Sequence, residues 1–405
     1  MDAQLIRRQF PALEGAGITF LDSASTTQKP RRVIEEVTRY LSAETASPGR
    51  GSYPWAARLN ARVESVRERV AEFLGAQDPA EIVFTSGATA SLNAVAVSWA
   101  LDNVSDGDEI LYSPWDHTSN VLPWQQVQRR LAGFGRRVHL IPYAMTATGE
   151  LDQQDLLAKV GPRTRMIAVS HVHNLFGSMT CLGSLRRVVP ESVLFCYDAS
   201  QSVGHLPVDV EELSADFLAF SAHKMFGISG TGVLYCRRRT HPKLSPFLPG
   251  GGFEAWAEVV GGPVPEMPAL LEGGTANTAG ILALGAALEF VEEIGVDVIA
   301  EHDRDLALLV RDRLGEIPEV DLLPGPFRAA EEGHGIVSFH VGGARPEDIG
   351  FALASAGVYV RAGRHCLAGP SPYRDAVRAS THAYTTRADV DRLADELRRL
   401  LKEAP

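Results

Sequence analysis

Lys224 stands in "FSAHKMFG", residues 220–227, between a histidine and a bulky apolar run, directly after a segment that reads as a strand. The other lysines are Lys29, Lys159, Lys243 and Lys402, among 39 Lys+Arg. A lysine kept from water has its pKa lowered from about 10.4, which makes the neutral amine accessible. A neutral amine condenses with carbonyls to form Schiff bases. The other use of such a lysine is to pair with a buried acid. Its neighbours Ser221 and His223 offer donors that suit a phosphate. Asp198 ends the apolar run "VLFCYDAS", and Gln201 follows three residues later. That carboxylate could face a buried cationic group, or simply cap a helix.

A third motif is "VFTSGATASLNAV", residues 83–95, in which a strand runs into Gly87 and a helix starts near Ala88. The free N–H groups of that first turn attract an anion, commonly a phosphate, although a plain strand–helix turn has the same pattern. No GKS, GKT or GxGxxG follows. A helix N-terminus, a strand-end aspartate and a strand-end lysine 224 − 198 = 26 residues later form a set. Pyridoxal phosphate (PLP) needs these parts: an anchored phosphate, a carboxylate at the pyridine nitrogen and an amine for the aldehyde. A fourth element is Cys366 in "VRAGRHCLAGPSP", residues 360–372, beside Arg361, Arg364 and His365. Cationic neighbours of that kind favour the nucleophilic thiolate. Cys181, Cys196 and Cys236 read as structural, Cys196 and Cys236 within buried-strand patterns and Cys181 in a loop.

The elements that must position these groups are legible in outline. Apolar, non-alternating runs at 81–85, 109–113, 137–143, 165–172, 193–200, 217–223 and 232–238 suit strands buried on both faces. Helical or loop segments separate many of them, which predicts an α/β architecture with a mostly parallel sheet. Ligands in such sheets bind beyond the carboxyl ends of the strands. In "RLNARVESVRERVAEFLG", Leu59, Val63, Val66, Val70 and Phe73 form a helical stripe that Gly75 ends. "ILALGAALEFVEEIG" repeats this with Gly295, and "DVDRLADELRRLL" is a third helix. Shorter strands at 335–341 and 358–363 predict a smaller α+β unit. The stretch 249–268 reads as a long surface loop.

The 405 residues allow two domains, and 45% hydrophobic with 22% charged content is ordinary for a globular protein. A formal charge of −11 argues against nucleic acid or an anionic membrane surface as the main partner. The start "DAQLIRRQFPAL" has no apolar signal region, and no run approaches a bilayer span, so a cytoplasmic location is expected. No CxxC occurs, and the four cysteines are expected to be free thiols. "HVH" at 171–173 could suggest a metal, but alternating histidines leave a strand on opposite faces, so no metal is expected.

On these motifs the chain resembles the fold-type-I PLP enzymes of aminotransferase class V. Within them it is most similar to the SUF-type (group II) cysteine desulfurase / selenocysteine lyase family. The likeness runs from "FLDSASTTQKP" (20–30) to "RASTHAYTTRADVDRL" (378–393). It implies a large domain, 21–295, with a mostly parallel seven-stranded sheet. A small α+β domain, 296–405, is joined by the N-terminal segment 1–20. By that resemblance Lys224 holds the cofactor's aldehyde, Asp198 pairs with the pyridine nitrogen and Gln201 bonds the phenolic oxygen. "WDHTSNVLPW" places His117 on the ring face. Ala88, Thr89, Ser221 and His223 would hold the phosphate. Thr275 of "EGGTANTAG" would reach the neighbouring subunit's phosphate, which implies a homodimer. Asn174 of "VSHVHNLFG" would lie beside cofactor and substrate, and Arg378 of "VRAST" would bind the substrate carboxylate, with Arg361 and His365 also on the substrate side.

The implied reaction converts L-cysteine to L-alanine, with Lys224 as base and Cys366 taking the sulfur as a persulfide. A sulfur-acceptor protein then collects it, as in iron–sulfur cluster assembly. The chain also departs from the family. Its paired histidines before the cysteine read Arg364-His365, and the stretch from Cys366 to Arg378 is a few residues shorter. Arg50 and Gly51 persist in "SPGRGSYPW", but Gly49 and Tyr53 replace histidines, and Ala90 and Thr118 are further replacements. These changes leave a second reading open: a class V C–S lyase, aminotransferase or epimerase acting on a cysteine-related substrate. A cofactor-free sulfur-relay partner is a third reading, against which the Lys224/Asp198 pair speaks.

Overall fold

A computed structural model describes residues 1–49, 51–146, 148–254, 262–325, 334–369 and 373–403. Arg50 and positions 370–372 of the cysteine loop lie outside the described residues, as do 255–261 of the predicted surface loop. Of that loop, 249–253 and 262–268 carry no helix or strand, whereas Glu254 is helical.

The strands are β1 (Thr19–Leu21), β2 (Ile82–Thr85), β3 (Glu109–Tyr112), β4 (His139–Pro142), β5 (Thr164–Ser170) and β6 (Leu194–Asp198). They continue with β7 (Phe217–Ser221), β8 (Gly232–Cys236), β9 (Val320–Leu322), β10 (Ile336–Val341), β11 (Val358–Arg364) and β12 (Asp375–Ser380). Seven form one sheet in the order β2-β8-β7-β6-β5-β3-β4. The pairs from β7 to β4 are parallel, and β8 runs antiparallel to both its neighbours.

Burial on both faces explains the unbroken apolar runs. In β7, Leu218 and Phe220 enter one core cluster while Phe217 and Ala219 enter the other. In β5 the split is Ile167 and Val169 against Met166 and Ala168. Successive side chains of a strand point to opposite faces, so a two-sided strand has no polar positions to spare. The helix Pro54–Phe73 buries Leu59, Val63, Val66 and Val70, and Gly75 turns the chain at φ +68°. Thr278–Ile294 is buried nearly all round, which suits its apolar composition.

A second sheet has the order β1-β11-β12-β10-β9. β1 joins it in parallel with β11, Leu21 opposite Val360. Its apolar face packs on the helices Val296–Gly315, Pro346–Ser355 and Arg387–Glu403 through Val310, Leu353 and Leu393. Asp198 ends β6, Ser221 ends β7, Ser170 ends β5, and His117 lies in the loop after β3. All four are at the carboxyl edge of the parallel strands, where loops and the second sheet leave a cleft. No helix among the described residues is long and apolar enough to cross a membrane.

Candidate active site

One cavity of about 270 Å³ gathers residues from both sheets. Its lining includes Ala88, Thr89, His117, Asn174, Asp198, Gln201, Ser221, His223 and Lys224 from the first sheet's edge. Arg361, His365, Cys366 and Arg378 come from the second. Thr275 is not among them. It is exposed and lines a second cavity of about 250 Å³ with Thr85, Ser86 and Ala90.

The helix Ala88–Val95 opens at Gly87, whose φ is +146°. A side chain there would be strained, and a Cβ would sit 3.3 Å from Ser221 Oγ. Across the gap, a Cβ on Gly232 would approach Gly87 Cα to 2.4 Å. These glycines let β8, β7 and the helix start come together. The Ala88 amide donates to Ser221 Oγ at 2.8 Å, and Thr89 Oγ1 pairs with Ser119 Oγ at 2.7 Å. Ser221, Ala88, Thr89 and the half-buried His223 thus form a cluster of donors around an exposed helix N-terminus, an arrangement that suits a phosphate.

Asp198 is buried and takes the Ser200 amide on Oδ1 at 3.0 Å. Lys224 sits in the short helical turn after β7. Burial lowers its amine from 10.5 to about 8, against the opposing pull of Asp198. Desolvation wins over the nearby carboxylate, so the neutral amine is within reach near physiological pH. Lys29 holds the backbone of this turn: its Nζ donates to the His223 carbonyl at 3.0 Å and to the Thr27 carbonyl at 2.7 Å. Burial brings Lys29 to about 8 as well.

His117 Nδ1 accepts the Ser119 amide at 3.2 Å, which leaves the neutral ring's proton on Nε2. Burial lowers its pKa, with Lys224 and Arg378 adding to the effect and Asp198 opposing it. The preceding Asp116 is fully buried, receiving Asn120 Nδ2 at 2.8 Å and the Ser170 amide at 3.0 Å. Burial raises it to about 7 despite those bonds, with Asp198 pushing the same way.

Gln201 Nε2 donates to the Ala24 carbonyl at 2.9 Å. Asn174 Nδ2 donates to the His365 carbonyl at 2.9 Å, and its Oδ1 is buried without a protein partner. Arg378, on β12, is buried; Nη1 reaches the Asn174 carbonyl at 2.8 Å and Nη2 reaches Ser25 Oγ at 2.9 Å and Asp22 at 3.4 Å. The His365 ring turns back into the sheet, Nε2 donating to the Ala376 carbonyl at 2.9 Å. Burial depresses it to about 3, and Arg378 acts in the same direction.

Cys366 is exposed and has φ +57°, uncommon for a residue with a side chain. Its carbonyl accepts the Thr118 amide at 2.8 Å, and His117 pairs with Leu367 in an isolated bridge. The cysteine loop is therefore stitched to the loop that carries His117. Cys196 and Cys236 are buried, and burial raises both thiols well above the ordinary range. Cys181 is exposed, so a buried structural role fits only the other two.

The HVH histidines each have their own partners. His171 Nδ1 meets Ser202 Oγ at 2.9 Å, and burial lowers its pKa to about 3. His173 bonds the Trp115 carbonyl through Nε2 at 3.0 Å and accepts the Leu175 amide on Nδ1 at 3.2 Å. Sequence reasoning missed a second buried group outside the cavity. Asp303 accepts from His205 Nδ1 at 2.9 Å and from Thr381 Oγ1 at 3.0 Å, while His382 stacks on His205 with ring centroids 3.9 Å apart. Three distant segments meet there; Thr381 and His382 lie in the family-like stretch 378–393, but nothing in it points to Asp303 or His205 as their partners. Asp116 had a weaker signal, an acid directly before His117 in a strand-end loop.

These residues fit PLP. The donor cluster at Ala88 suits its phosphate, Asp198 its ring nitrogen, and the depressed Lys224 amine its aldehyde. The family model for aminotransferase class-V matches residues 19–393. A probable cysteine desulfurase of Halalkalibacterium halodurans is 34% identical over 98% of this chain and 97% of its own. A cysteine desulfurase of Klebsiella pneumoniae subsp. pneumoniae is 36% identical over 98% of each chain. The apo structure of cysteine desulfurase from Thermococcus onnurineus NA1 superposes with a TM-score of 0.90, at 31% identity and 98% coverage of both chains.

Proposed function

The chain belongs to the aminotransferase class-V family and is a PLP-dependent cysteine desulfurase; from that premise we propose that Cys366 receives the sulfur as a persulfide while L-alanine is released. One observation carries the assignment of roles. Asp198 and Lys224 lie at the ends of the neighbouring strands β6 and β7 and face the same cavity, with Cys366 at its rim.

PLP, when bound, supplies an aldehyde for the substrate amine and a ring that takes up the electron pair left at Cα. Lys224 holds it and, with an amine near 8, can accept and return the Cα proton. Asp198 would pair with the ring nitrogen and keep it protonated. Ala88, Thr89, Ser221 and His223 would hold the phosphate, Gln201 would bond the phenolic oxygen, and His117 would lie beside the ring. Arg378 orients the substrate carboxylate, and the unpartnered Asn174 Oδ1 faces the same space. Arg361 and His365 shape the substrate side.

The working unit in this reading is a homodimer. The exposure of Thr275, beside Ala90 of the phosphate helix and outside its own cavity, supports its reaching a partner's site. The chain divides into a large unit, 21–295, and a small one, 296–405, that the segment 1–20 joins. Free thiols support a cytoplasmic setting, and a thiol acceptor collects the sulfur.

The test incubates purified holoenzyme with L-cysteine and assays alanine together with the mass of the Cys366 peptide. Alanine with a gain of one sulfur atom on Cys366, lost in Cys366→Ala with the cofactor retained, is expected. Alanine without that adduct overturns the role of Cys366.

A further inference from the structure

Arg361 and Arg364 crowd the rim of the cavity beside Cys366, and both are exposed. Arg361 lies directly opposite Arg378 in the β11–β12 register. Like charges opposite one another destabilise a sheet pair. Arg378 has Asp22, but among the described residues Arg361 has no acidic partner within ion-pair distance. Arg364 lies opposite Asp375 and meets it only at 3.9 Å, with side chains 73% and 55% exposed. That contact is long and wet, and contributes little. Among the described residues the rim therefore keeps one guanidinium with no acid beside it, Arg361, and one only loosely paired, Arg364. Arg364 is also where the family pattern has a histidine.

We propose that this rim selects the sulfur acceptor: a small thiol that carries a carboxylate, with Arg364 holding the carboxylate while the acceptor sulfur reaches Cys366. Arg364 and Cys366 are two residues apart, so their Cα atoms lie about 7 Å apart at most, and both line the same cavity. The long Arg364 side chain can fold over that separation toward a carboxylate a few bonds from a thiol at Cys366. The rest on which this stands is the persulfide reading of Cys366. The step balances without an oxidant. The acceptor thiolate attacks the outer sulfur of the Cys366 persulfide, the bond between that sulfur and Cys366 Sγ breaks, and Cys366 leaves as thiolate. The acceptor's proton ends on Cys366, and the acceptor becomes a persulfide.

Holoenzyme loaded from L-cysteine is freed of substrate and mixed with 3-mercaptopropionate, 2-mercaptoethanol or cysteamine. Rates are taken per loaded Cys366 and per thiolate. The carboxylated thiol is expected to clear the persulfide about fivefold faster than the neutral one, the scale of one exposed guanidinium–carboxylate contact, with the cationic thiol slowest. High salt and Arg364→Gln should each erase that order, and Arg364→Lys should keep most of it. Equal rates for the three thiols, or an order that survives in Arg364→Gln, overturn the proposal. A wild-type enzyme that never loads sulfur on Cys366 overturns the persulfide reading beneath it, which the mass of the Cys366 peptide distinguishes.

Discussion

Arg378 donates from Nη1 to the main-chain carbonyl of Asn174 at 2.8 Å, which ties β12 to the loop after β5. The same guanidinium spends Nη2 on Ser25 and Asp22. Its planar fork is thus fixed by groups from two other parts of the chain, and a fixed fork is what bidentate carboxylate binding requires. Arg378→Lys is expected to raise KM for L-cysteine by about 10- to 100-fold, since an ammonium cannot satisfy these partners and a substrate carboxylate together. Steady-state kinetics check this, with native circular dichroism and retained cofactor absorbance as the control for folding.

The Lys224 amine, brought down to about 8, makes a pH prediction with a definite sign. Its folded pKa lies below the unfolded value of 10.5, so between about pH 8 and 10.5 the unfolded chain holds more protons. Stability of the apoprotein therefore rises with pH across that window, by at most about 1.4 kcal/mol per pH unit for one group. Lys29, also near 8, acts in the same sense. Urea titrations of apoprotein at pH 8, 9 and 10 should show the rise, and Lys224→Met should reduce it. The same variant should no longer retain cofactor after borohydride, and alanine formation should fall on the order of 10³-fold.

Asp303 joins His205 and Thr381 in a buried site. Removing the carboxylate leaves both donors buried and unpaired, and each such group costs about 1–3 kcal/mol. Asp303→Ala is expected to lose about 2–4 kcal/mol in urea unfolding. A smaller loss in Asp303→Asn, which keeps an acceptor, would identify hydrogen bonding as the cause.

How much of this was legible depended on where each residue's environment comes from. Strands β5 to β8 announce themselves because both faces are buried, so their interiors are apolar and polar or charged residues stand at or just beyond their ends. Asp198 and Lys224 are visible for that reason. β12 hides because it carries Arg378 in its middle, and that cation is tolerated only through Asp22, Ser25 and Asn174, far away in sequence. β1 and β9 are three residues each, too short for a periodic signal. The antiparallel direction of β8 left no trace in its composition. The cysteine loop was readable as a motif, whereas its attachment to Thr118 and the left-handed backbone at Cys366 arise from tertiary contacts alone.

Asp22 and Arg378 meet across 356 residues of chain. During synthesis Asp22, Asp198 and Lys224 all emerge well before Arg378. The residues proposed to hold the cofactor are therefore made before the cation proposed to hold the substrate, and the substrate end of the pocket is the last part to be assembled.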